Sequence, residues 1–214
     1  MIPDISIVVP SLHCESGRRT LRTFTQCIID NTTNGYELLI SSHVEESGTA
    51  AITYLSSVAR GKYVAIICDD IYVAPGWDTA FMEAVEPDTL LIGSLIESGS
   101  TTVHECNVKI DYGHTPETFK REEFEKCAAI MAPLKPDTAL RYWGFPWFVE
   151  RELFVKRWTA ENIKGDAVKE LAGDFFFWRH WLDDGLKVKR ANSWAYHLMR
   201  WTGKDYDYTT GRAR

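Results

Sequence analysis

The sequence predicts an α/β fold with a mainly parallel central sheet flanked by helices, and three observations carry that expectation. Four short, almost uninterrupted apolar runs occupy the first half: Ile5–Pro10, Tyr36–Ser41, 62–68 and 89–96. Strands buried on both faces read this way, because neither side of the pleat meets water. Segments with apolar residues at helical spacing separate the runs, as expected of parallel strands joined by crossover helices. Finally, 214 residues suit a single domain, and no repeat or low-complexity linker divides them.

Taken in order, Ile5–Pro10 is β-branched and closed by proline, the mark of a buried strand's end. Residues 17–30 place Leu21, Phe24, Cys27 and Ile28 on one helical face, and Asn34-Gly35 ends that element. Tyr36–Ser41 is the second strand, 49–59 the second helix and 62–68 the third strand. Pro75 opens a third helix over 75–85, where a proline suits the first turn, and 89–96 forms a fourth strand. The second half is less regular. Residues 97–116 read as irregular or short strands, 117–131 as a helix and 133–146 as a loop. Helical patterns follow at 149–158 and 174–184, the latter ended by Gly185, and 186–191 is a late strand.

Composition excludes several classes. The hydrophobic share of 45% and charged share of 25% are those of a folded soluble chain, not a disordered one. A net charge of -6 argues against a general nucleic-acid binder, which needs a phosphate-neutralising excess of Lys and Arg. No stretch approaches the roughly 20 apolar residues of a membrane span, and Ile5–Pro10 is too short for a signal peptide. A soluble, cytoplasmic protein is expected. The five cysteines are odd in number, scattered and without a CxxC pair, so neither a disulfide framework nor a thiolate zinc site is indicated.

In a sheet of this kind, ligands bind beyond the carboxyl ends of the strands. One rim therefore gathers Ser11-Leu12-His13-Cys14-Glu15, Ser41-Ser42-His43 and Cys68-Asp69-Asp70. No GxGxxG follows the first strand, and neither a GxxxxGK[ST] nor a GxSxG occurs. Nicotinamide dehydrogenases, P-loop NTPases and serine hydrolases lack their landmarks here.

Adjacent carboxylates at Asp69 and Asp70 repel unless a cation lies between or beside them. A divalent metal on a diphosphate would supply it, and an exposed acidic turn is the plainer alternative. Asp174 opens an aromatic helix, Gly173-Asp174-Phe175-Phe176-Phe177-Trp178-Arg179. It suits a general base among groups that raise its pKa, or a helix-capping residue. In Tyr196-His197-Leu198-Met199-Arg200, His197 is a candidate imidazole ligand to the same metal and Arg200 a candidate diphosphate clamp.

Together, in this order, these segments resemble GT-A fold glycosyltransferases of the large family 2 type. ISIVVPS is similar to the family's first strand, RGKYVAIICDDIYVAPGWDTAF to its strand, DxD-like turn, "pgW" and helix, and GDFFFWRHWLDDGLKV to its "ED" helix. A late His follows in WAYH, so the resemblance spans roughly residues 5–197. It implies transfer of a sugar from a nucleotide-diphosphate sugar to an acceptor hydroxyl, inverting and dependent on Mn2+ or Mg2+. Residue by residue, Asp70 matches the last metal-binding Asp, Asp69 the middle position, His197 the late metal ligand and Asp174 the catalytic base. Pro10, Ser11, His13, Glu15, Ser42 and Asp69 then line the donor, with Arg200 on its diphosphate.

The sequence departs from the family at Cys68 in the first DxD position, at Gly173 before Asp174, and at Ser41-Ser42-His43, where an acidic turn is common. A GT-A-like domain binding a sugar nucleotide or partner without turnover is therefore an alternative. A sugar nucleotidyltransferase is another, for which Gly17, Arg18 and Arg19 offer part of a triphosphate loop. The expected organisation is one domain, 1–96 binding donor and 97–214 binding acceptor and carrying the tail. Seven of the eight tryptophans lie from Trp143 onward. Trp143, Trp147 and Trp201 are candidates to stack on a carbohydrate or lipid-linked acceptor, with core packing the alternative. Basic residues from Lys187 to Arg214 allow peripheral contact with a membrane surface or an anionic acceptor; a solvated tail is the plainer reading.

Overall fold

The computed structural model describes residues 2–11, 15–41, 48–97, 108–134, 146–158, 181–198, 206–207 and 212–213. Its strands are β1 (Ile5–Pro10), β2 (Tyr36–Ser41), β3 (Tyr63–Ile66), β4 (Ile71–Val73), β5 (Thr89–Glu97), β6 (Val108–Lys109), β7 (Trp147–Glu150) and β8 (Lys187–His197). A separate antiparallel pair joins β9 (Tyr206–Asp207) to β10 (Arg212–Ala213). The described helices are α1 (Glu15–Asn31), α2 (Gly48–Val58), α3 (Trp77–Ala84), α4 (Arg121–Met131) and α5 (Arg151–Arg157).

The eight strands form one sheet in the order β2-β1-β3-β7-β5-β8-β4, with β6 beside β5. It is mixed rather than mainly parallel. The pairs β1/β2, β1/β3, β5/β6 and β5/β8 run parallel, whereas β3/β7, β5/β7 and β4/β8 run antiparallel. Both strands that break the parallel pattern, β4 and β7, are ones the apolar runs did not reveal. Of Trp147 to Glu150, only Val149 and Glu150 fall in an expected element, the helix at 149–158, and Ile71 to Val73 follows the acidic turn too closely to form a separate run.

The strand order forces the sheet to curl. Between Ile66 and Ile71 the chain spans at most ~18 Å fully extended, yet β3 and β4 are four strand spacings apart, ~19 Å in a flat sheet. The link also folds into a turn, Ile71 N donating to Cys68 O at 3.1 Å. The far edge must bend back toward the middle, bringing the acidic turn over the end of β8.

Both faces are covered, which explains the continuous apolar runs. Along β1 and β3, Ile5, Ile7, Val9, Tyr63 and Ala65 enter one core, while Val8, Val64 and Ile66 enter the other. Successive side chains point to opposite faces, so each strand feeds both. Phe24, Cys27 and Ile28 of α1, Trp77 and Phe81 of α3 and Phe124 of α4 close the first core. Ile52 and Leu55 of α2 and Phe154 of α5 close the second. Trp147 is fully buried at 0% exposure and packs edge-on to Trp158, so it is core and not an acceptor platform. Trp143 and Trp201 lie outside the described residues.

Two local features fix the sheet. Gly61 lies against β1: a Cβ there would sit 2.5 Å from Ser6 N and 2.7 Å from Ile5 C. Across β5 and β8 the register shifts between Ile92/Arg190 and Ser94/Trp194, so β8 carries extra length toward its carboxyl end. That length delivers His197 to the rim. Among the described residues, no helix is long and apolar enough to cross a membrane.

Candidate functional site

The rim expected from the sequence is assembled at the ends of β1, β2 and β3, which run parallel and in register. Ser11 N donates to Ser41 O at 3.0 Å, joining the ends of β1 and β2. Ser11 Oγ donates to Asp69 Oδ2 at 2.6 Å, joining β1 to the acidic turn. Both residues are buried. Asp69 thus turns inward, and its carboxyl is held well above the ordinary range. Burial is the main cause and the Asp70 charge the second, with hydrogen bonds from Ser11 and Thr20 pulling the other way.

Asp70 faces the other direction. Its backbone oxygen accepts from Leu198 N at 2.9 Å, and β4 pairs Ile71 with His197. Asp70 Oδ2 then lies 3.8 Å from His197 Nε2, too far for a hydrogen bond but close enough for an ion pair. On its other flank, His197 is paired with Glu97 across β5 and β8, and His197 Nδ1 meets Glu97 Oε1 at 2.9 Å. Burial disfavours the imidazolium, but the Asp70 and Glu97 carboxylates outweigh it and raise the His197 pKa to about 10.

The sequence pointed to Asp70 and His197 as a pair, and the fold brings them together, Asp70 from the turn before β4 and His197 from the end of β8. Glu97 was not anticipated, because it closes an apolar run and resembles the start of the polar segment behind it. Its one available signal was a carboxylate at the carboxyl end of a strand. Pro10, Ser11 and Asp69 lie at the same rim. His13, Ser42, Asp174 and Arg200 lie outside the described residues, as does the side chain of Glu15 at the start of α1.

Among the described residues, no group of three or more His, Cys, Asp or Glu side chains is arranged to hold a metal ion by itself. Two donors are nevertheless compatible with one. The Asp70 carboxylate oxygen suits Mn2+ or Mg2+, and the His197 imidazole adds a nitrogen donor of the kind more usual around Zn2+ or Fe2+. Sites for such ions on substrate phosphates commonly take only one or two protein carboxylates. A cavity of about 580 Å³ bounded by α3, the end of α4 and β8 is not lined by these residues.

No family profile matches the sequence, and no curated protein matches it. Solved structures do match in fold. One is a crystal structure of GalNAc-T7 with UDP, GalNAc and Mn2+, at TM-score 0.56 and 11% identity. The match covers 92% of this chain and 43% of that one, so the chain spans less than half of its neighbour's length. The class that this defines is a fold: the chain is similar in architecture to a GT-A fold glycosyltransferase.

Proposed function

We propose that the chain is a glycosyltransferase that moves a sugar from a nucleotide-diphosphate sugar to an acceptor hydroxyl, with inversion. The observation that supports it most is Asp70 set against His197 at the carboxyl rim of a GT-A-like sheet. Residues 1–96 bind the donor, with Pro10 and Ser11 at the end of β1 among its contacts and His13, Glu15 and Ser42 proposed as further ones. Asp69 keeps Ser11 in place. Residues 97–214 bind a carbohydrate or lipid-linked acceptor, and the basic tail favours an anionic one.

Asp70 and His197 hold the divalent cation, and Arg200 binds the donor diphosphate. Bound Mn2+ or Mg2+ supplies positive charge against the negative charge developing on the leaving diphosphate. Asp174 takes the acceptor hydroxyl proton as the oxygen bonds the anomeric carbon on the face opposite the diphosphate. The bond from that carbon to the diphosphate oxygen breaks, and its electron pair leaves with the nucleoside diphosphate.

A panel of nucleoside diphosphates with and without Mn2+, read by thermal shift on the native chain and Asp70→Ala, tests the donor site. One nucleotide should stabilise the native chain only with metal, and the variant should lose the effect. Release of free nucleoside diphosphate then tests turnover, and the anomeric configuration of the product tests inversion. Cys68 at the first acidic position and the inward turn of Asp69 favour a second reading, sugar-nucleotide binding without turnover. It predicts the thermal shift with no release.

A further inference from the structure

We infer that Glu97 positions His197 for the cation, by fixing which ring nitrogen is turned toward Asp70. This rests on the reading of Asp70 and His197 as cation ligands. A carboxylate only accepts hydrogen bonds, so the 2.9 Å contact assigns a proton to His197 Nδ1. Nε2 is then the nitrogen that gives up its proton when a cation binds, and it is the one that faces Asp70 Oδ2.

The burial gradient runs the same way. The Glu97 side chain is 4% exposed and the His197 side chain 21%, so the carboxylate anchors from the core and the ring reaches outward to the rim. A mere tie between strands is an inadequate account of a buried carboxylate here. The β5/β8 backbone ladder already pairs the two strands from Thr89 to Glu97, and burying a charge for that purpose is costly. Carboxylate-to-imidazole pairing behind a metal ligand sets ring orientation and raises ligand basicity.

The experiment measures Mn2+ binding by EPR on the full chain, with no nucleotide present. Wild type, Glu97→Gln, Glu97→Ala, His197→Ala and the Glu97→Ala/His197→Ala double variant are compared. Glu97→Ala should weaken Mn2+ binding about 10- to 100-fold. Glu97→Gln, whose amide oxygen accepts the same bond, should recover part of that loss. The double variant should bind no more weakly than His197→Ala alone, because Glu97 acts through the ring.

Long-range 1H–15N spectra of Zn2+-loaded wild type should place the metal on His197 Nε2 and a proton on Nδ1. That spectrum and Glu97→Gln decide the matter even if Glu97→Ala does not fold. A metal on Nδ1, Glu97 variants within twofold of wild type, or an equal Glu97 effect without His197 overturns the inference and leaves the donor site standing. Wild type that binds no Mn2+, or His197→Ala that binds it unchanged, overturns the cation reading itself.

Discussion

Ser11 donates its hydroxyl to the carboxylate of Asp69 at 2.6 Å, so the end of the first strand and the acidic turn are fastened together inside the protein. The two residues adjacent in the acidic pair therefore have different work. Asp69 holds the rim in shape, and Asp70 is left facing β8 and His197.

Ser11→Ala should leave a buried carboxyl oxygen without that donor and cost about 1–3 kcal/mol of stability. Urea denaturation measures it. A midpoint unchanged from wild type would show that Asp69 finds another partner.

With Asp174 in its proposed role as base, Asp174→Asn should separate binding from chemistry. Removing a general base is expected to lower turnover by about 10²–10⁴-fold, while the metal-dependent thermal shift by nucleotide persists. Nucleoside diphosphate release and the melting panel, run on the same preparation, check both halves.

Glu37 carries a pH prediction well away from the rim. Its burial pushes the carboxyl up, but Ser6, the Arg60 amide and the Arg60 guanidinium more than offset this and leave it below its usual value. The Ser6 contact is 2.7 Å and the Arg60 amide contact 2.6 Å. A folded pKa below the unfolded one means the unfolded chain binds more protons in between. This stabilisation is present above the unfolded Glu pKa and is lost as pH falls through the folded one. Glu37→Gln should flatten that part of the acid limb in stability measured against pH, and an identical acid limb would refute the assignment.

Gly61→Ala should destabilise the protein by about 1–3 kcal/mol or more, as overpacking does. The new methyl would press on the β1 backbone rather than on a movable side chain. It would also disturb the Gly61 N to Ser6 Oγ bond of 2.8 Å, which supports the Glu37 network. A lowered thermal midpoint is the expected readout.

Much of the first half was legible because local pattern and final environment agree there. The strands β1 and β3 are buried on both faces and the edge strand β2 is half-buried, and their apolar runs say so without reference to partners. The mixed sheet was not legible, since β7 enters antiparallel between β3 and β5 through pairings such as Ala65 with Phe148. No local periodicity encodes the direction of a strand that far along the chain. Asp70 and His197 were found as motif positions, but Glu97 joins them only through the β5/β8 register. Asp69 shows the converse. Its type and place match a donor-site residue, and only the fold reveals that its side chain is turned to Ser11.

The short connection from β3 to β4 sets a limit on how this rim can be remodelled. Residues 67–70 fold into a turn whose two ends are fixed by the β1/β3 and β4/β8 pairings, so an inserted or deleted residue would slide Asp70 along β8 or release the sheet's edge. Length variation is the usual route by which loops on a common scaffold acquire new ligands, and this turn is closed to it. On the proposed reading, sequence changes aimed at donor preference belong at residues 12–14 and 42–47, with the acidic turn kept at constant length.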